Sequence, residues 1–405
     1  MPALKAFLGS VRRCADPALT PKDVLIGVLF SVDGPYNVVS RSMLNGALLA
    51  IEQVNLAQNA TIQLKPIVVN PAGDLARYSS LCSGLLSQGV KHVVGCYTSS
   101  SRKEVIPLFE KADALLWYPS HYEGFECSEN VIYTGAVTNQ HVLPLADYLL
   151  ECCGHSAFCI GSNYIWAWEN NRVLRERLAA SRGTVMAERY FAVGDTDFGQ
   201  VINAILHARP AFVFNTLIGI SSYCFLRDFR AACEVCGVNQ AQTIPVASCT
   251  LSEPELEAIG APAADGHITA SVYFSSIRDE ANARFIDDYT ARFPCGPVVC
   301  ADAEAAFIAV RLLALALEET GGRTESAEVK RAVTQVVMDA PQGAVRIDPE
   351  TLHAFLTPRI GRSTSAMRFE ILAQAPGPVR PDPYLIWNSP RFWTAASPPA
   401  LRVAS

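Results

Sequence analysis

Three short segments carry side chains able to hold a small molecule. They are GCYTSSSRK, with Tyr97, Thr98 and Ser99; LLWYPSHYEGFE, with Tyr118, Ser120, His121 and Tyr122; and IGSNYIWAWEN, with Tyr164, Trp166 and Trp168. Each follows an apolar run that reads as a strand. In open α/β sheets ligands bind beyond the carboxyl ends of the strands, so this repeated placement points to a pocket. Hydroxyls and helix N-terminal N–H groups supply hydrogen bonds in such a place, and aromatic rings exclude water. Taken singly, a tyrosine at a sheet edge is as readily a packing residue. Together the segments predict the holding of a small neutral ligand.

No reactive set stands beside them. There is no G-x-G-x-x-G after the first strand and no G-x-x-x-x-G-K-[ST], so no nucleotide cofactor is expected. G-x-S-x-G, H-E-x-x-H and EF-hand patterns are absent too. The seven histidines include no pair at metal-binding spacing. Cys233 and Cys236 form an isolated C-x-x-C on a predicted helix with no second ligand pair, and read as ordinary helix cysteines. Cys96 has no base at recognisable spacing. The chain is expected to be a binding protein, with neither metal nor cofactor.

The elements that must position these residues form two series. The runs 24–30, 62–70, 91–97, 114–120 and 131–136 are continuously apolar, as parallel strands covered on both faces are. The pattern restarts with 155–163, 184–191, 211–219, 244–250 and 267–274. Helix-length stretches separate the runs, so the fold class is α/β, with two doubly wound parallel-sheet lobes. A β-rich tail with runs 344–348 and 367–374 closes the chain, before a Pro/Ala/Ser-rich end.

At 405 residues the chain has room for two domains, and 50% hydrophobic against 18% charged residues suits large cores. The net charge is -6 with no Lys/Arg-rich run, which excludes direct nucleic-acid binding or an anionic-membrane patch. The apolar stretch from Ala305 to Leu317 is interrupted by Arg311 and shorter than the roughly 20 residues a bilayer needs. It reads as a buried helix, so no membrane insertion is expected. At the N-terminus the apolar segment Ala6 to Val11 is short, and Arg12-Arg13 follow where a signal peptide has small residues. Thirteen cysteines without a framework of spacings, several inside apolar runs, suit a reducing compartment. Both features favour the cytoplasm, with the periplasm as the alternative.

The segments IGVLFSVDGP, LNGALLAIEQVN, VVGCYTSSSRKEVIPLFEKADALLWYPSHYEGFE, NVIYTGAVTNQ, IGSNYIWAWEN and DAPQGAVRIDPETLH resemble the type I periplasmic-binding-protein superfamily. The similarity is to the branch holding the amide-sensing negative regulator of bacterial amidase operons and the urea/short-chain-amide receptors of ABC transporters. It extends from residue 24 to about 385. The resemblance implies two lobes joined by three crossovers that close on an amide or urea. Residues 22–136 with 270–342 would form lobe 1, and 137–269 with 343–390 lobe 2. Residues 1–21 and 391–405 would be tails. It places the ligand among Tyr97, Ser99, Tyr118, Ser120, Tyr164, Trp166 and Ile218. Ser99 and Ser120 would bind the amide oxygen through hydroxyl and local N–H groups, and Trp166 and Ile218 would limit the alkyl group. A cytoplasmic sensor that self-associates and sequesters an RNA-binding antiterminator is the first role it implies. The substrate-binding component of a transporter is the alternative. In the branch's pattern, threonine, proline and tyrosine stand where this chain has Ser120, His121 and Trp166.

Overall fold

The computed structural model describes residues 21–386. The expected tails, Cys14 and the basic N-terminal segment lie outside them. All ten expected strands form. Sheet one has the order β2-β1-β3-β4-β5, built from β1 (Lys22–Leu29), β2 (Ile62–Val69), β3 (His92–Gly95), β4 (Leu115–Tyr118) and β5 (Val131–Tyr133), all parallel. Strands β3, β4 and β5 are buried at every residue, as their uninterrupted apolarity requires, while edge strand β2 is half exposed.

Sheet two holds β6 (Ser156–Ser162), β7 (Thr184–Phe191), β8 (Phe212–Thr216), β9 (Val246–Ser248) and β10 (Ile268–Ser271) in parallel. It differs from the expected all-parallel layer at one edge. There β14 (Arg359–Ser363) and β15 (Phe369–Gln374) add antiparallel strands beside β10. A short link between β14 and β15 permits only antiparallel pairing. Between β10 and β14 in the chain come β11 (Val337–Ala340), β12 (Gly343–Ile347) and β13 (Ala354–Phe355), a small antiparallel ribbon bridged to sheet one through Tyr133 and His353. The chain passes between the sheets after β5, after β10 and after β13.

Helix Ala301–Glu319 is the buried helix foreseen, with 14 of its 19 residues covered. It packs against helix Asn37–Leu56 so closely that a Cβ on Gly46 would lie 2.0 Å from the Ala303 carbonyl oxygen, which only glycine permits. Among the described residues no helix is long and apolar enough to cross a membrane. The DAPQG segment has a tying role. Gln342 donates to the buried Glu304 at 2.9 Å, and Arg359 donates to the Gln342 carbonyl at 2.9 Å, linking helix, ribbon and sheet two.

Candidate ligand-binding site

The first side of the site is made where β3 ends. Cys96 takes a left-handed φ of 67° and its N–H stays bonded to Leu29 O at 3.0 Å, so the chain leaves the strand abruptly. Thr98 then caps helix Ser99–Ala112, its hydroxyl accepting from the Ser101 N–H at 3.2 Å. Tyr97 and Ser99 are thereby fixed at the sheet edge, beside first-turn N–H groups that have no intrahelical acceptor. Ser120 and His121 follow β4 in the same way. From sheet two, Tyr164 and Trp166 begin helix Ile165–Ala180 after β6. Ile218 follows β8, its N–H held by Ser162 Oγ at 3.2 Å.

These residues surround one small cavity, lined by Tyr97, Ser99, Ser120, His121, Tyr164, Trp166, Ile218 and Thr250. Six of the seven expected residues line it. Tyr118 does not. Its phenol donates to the Tyr97 carbonyl at 2.9 Å, and its ring lies under the Arg102 guanidinium, 4.8 Å away, and edge-on to Tyr133. It supports the wall from behind. Tyr122 is buried in the same aromatic cluster, and Trp168 is exposed. Thr250 and His121 complete the lining. Thr250 ends the run 244–250, at the same carboxyl edge that pointed to the other residues, and that signal was available in the sequence.

No acidic or basic side chain lines this cavity. Burial, with His141 nearby, pushes His121 down to about 3, so its imidazole is neutral. Burial also raises the phenols of Tyr97 and Tyr164 well above their usual range, keeping both protonated. The Trp166 indole N–H is buried and has no acceptor. Its ring lies along Tyr164 at 6.4 Å and meets His121 edge-on at 5.6 Å. Ser99 departs from its expected role. Its hydroxyl donates to Glu123, which is buried and paired with Arg102 at 3.1 Å. With its proton so engaged and one lone pair facing the Arg102 N–H at 3.4 Å, Ser99 Oγ keeps one lone pair and suits a ligand N–H better than a ligand carbonyl. The wall therefore presents donors at Trp166 and the tyrosines, and an acceptor at Ser99.

The lobes meet over this cavity. The Ile220 N–H donates to Pro35 O at 3.1 Å, and a Cβ on Gly219 would lie 2.0 Å from that same oxygen. Cys96 is fully buried with its thiol raised far above the usual range by desolvation, a poor nucleophile.

Residues 24–390 match the family model described as a periplasmic binding protein domain. The chain belongs to the periplasmic binding protein family. Such a protein binds its ligand without transforming it. Among curated relatives, the Leu/Ile/Val-binding protein homolog 6 of Brucella abortus is 22% identical over 337 residues, covering 82% of this chain and 85% of that one. A solute-binding protein of an ABC transporter from R. palustris, solved with benzoate, has a TM-score of 0.79 at 18% identity. It covers 89% of this chain and 98% of that one. A branched-chain amino acid binding protein from Streptococcus pneumoniae, solved with isoleucine, gives 0.73 at 18% identity, over 89% and 100% of the two chains. At these identities the solved proteins establish the fold, and the family rests on the family model. They do not reach the amide-sensing branch.

Proposed function

We propose that this protein is the solute-binding component of an ABC-type transporter, and that its ligand is a small neutral amide or urea derivative. The relatives favour the transporter role, and with it a periplasmic location, over the cytoplasmic sensor implied first. One observation carries the ligand class: a small cavity between the sheets offers both donors and acceptors but no charge. Isoleucine and benzoate, bound by the proteins of similar fold, carry a carboxylate, which would find N–H donors here but no cationic side chain to offset its desolvation. An amide needs no such partner. Its N–H groups reach Ser99 Oγ, its carbonyl takes the Trp166 N–H or the first-turn N–H groups after Thr98, and Ile218 bounds the alkyl end. The two lobes, 22–136 with 270–342 and 137–269 with 343–390, close around it.

Removing the Ser99 hydroxyl takes away that acceptor and one donor to Glu123. Ser99→Ala is expected to weaken amide binding by about 1–2 kcal/mol, read as a rise in Kd by calorimetric titration. An unchanged Kd excludes Ser99 from the contact.

One observation favours the sensor reading. All twelve described cysteines are free, and six of them are buried, an arrangement that suits a reducing compartment. Fractionation of the native cells separates the two. Recovery from the periplasm supports the transporter component. Retention in the cytoplasm, with an RNA-binding protein that co-purifies and is released by amides, supports the sensor and overturns the transporter role.

A further inference from the structure

His121 and Thr250 line not one cavity but two, and the second, also small, has the opposite character. Glu253 and Asp302 form part of its wall, 3% and 5% exposed. Asp302 sits in the first turn of helix Ala301–Glu319, where an acid is favoured by the helix dipole. Glu253 likewise opens helix Glu253–Ile259, so two helix starts bring two buried acids to the wall of one cavity. Glu255 nearby is satisfied, accepting from the Ser252 N–H at 2.9 Å and the Tyr223 hydroxyl at 3.2 Å. Glu253 accepts the Ser275 N–H at 2.8 Å, which occupies one oxygen. Asp302 forms no ion pair among the described residues and accepts from no N–H but its own. Burial, and to a lesser degree Glu253, raise its carboxyl to about 7, while Arg368 acts on Glu253 in the opposite sense.

We propose that this second cavity is a subsite for a positively charged nitrogen, an ammonium or guanidinium, carried by the ligand. The complete ligand is then an amide or ureido compound with a basic tail that passes between His121 and Thr250. Its amide end lies in the uncharged cavity and its cation against Asp302 and Glu253. A cation placed there replaces repulsion between two buried acids by charge-assisted hydrogen bonds. This inference rests on the amide reading of the first cavity.

Matched ligand pairs test it by calorimetric titration of the full chain: propionamide against β-alaninamide, and butyramide against 4-aminobutyramide. The amino member of each pair is expected to bind at least about tenfold tighter, the scale of one hydrogen bond to a charged group. Asp302→Asn brings the ratio within each pair towards one, and Glu253→Gln serves if that variant does not fold. The ratio in the unaltered protein needs no variant. Equal or weaker binding of the amino amides, beside measurable binding of the neutral ones, overturns the subsite and leaves the amide reading standing. A preference that survives both substitutions overturns the assignment to these acids. Binding of neither member of a pair overturns both readings.

Discussion

Arg102→Met is expected to lower the stability of the folded protein by about 3–5 kcal/mol, the cost of leaving a buried carboxylate without its cation. Arg102 is fully buried and pairs with Glu123 at 3.1 Å and Glu126 at 2.6 Å. Its guanidinium also lies 4.8 and 4.5 Å from the ring centres of Tyr118 and Tyr122. Removing it leaves Glu123 with only the exposed Lys103, 3.9 Å away, and strips two aromatic rings of their cation. The loss reaches the ligand as well, because Glu123 holds the Ser99 hydroxyl proton. Arg172 supplies the contrast. It makes two ion pairs on one helix but is 30% exposed at its side chain, so Arg172→Met should cost no more than about 0.5 kcal/mol. Urea unfolding followed by fluorescence measures both. A loss below about 1 kcal/mol for Arg102→Met would mean that this cluster is not what braces the wall.

Gly219→Ala is expected to raise the Kd for ligand roughly ten- to a hundredfold while the protein remains folded. Gly219 has φ 58° and ψ -138°, a conformation open in practice only to glycine. Its added Cβ would meet Pro35 O at 2.0 Å, on the opposite lobe. The backbone conformation costs about 1–3 kcal/mol in any state, but the collision exists only while the lobes are shut. The substitution therefore penalises the closed form selectively, and a ligand that binds by closure must supply the difference. Small-angle scattering with saturating ligand should show a larger radius of gyration for the variant than for the unaltered protein. Equal affinities would place the closing contact elsewhere.

The sheets were legible because strands buried on both faces show as unbroken apolar runs, and HVVG, LLWY and FVFNT are such runs. The antiparallel edge was not. RIGRS has two arginines in five residues, and becomes a strand only because Arg359 reaches the Gln342 carbonyl and its backbone pairs with β10. At the site, strand ends located Tyr97, Ser99, Ser120, Tyr164 and Trp166, and the family resemblance added Ile218. Neither could tell that Tyr118 faces away, since that depends on the aromatic cluster behind it. Nor does a serine in sequence reveal that its proton is claimed by a glutamate, which is what turns Ser99 from donor to acceptor. The acid pair Glu253 and Asp302 was invisible for a different reason. Distant segments bring the two together, and each alone reads as an ordinary acid at a helix start.

The central claim is that an uncharged cavity between the lobes selects small amides over carboxylates. Calorimetric titration of the purified protein with urea, acetamide, butyramide, leucine and benzoate tests it in one series. The account predicts saturable heat with at least one of the neutral ligands and none with leucine or benzoate. Tight binding of leucine or benzoate, with no response to any amide, would contradict both the ligand class and the place assigned to it.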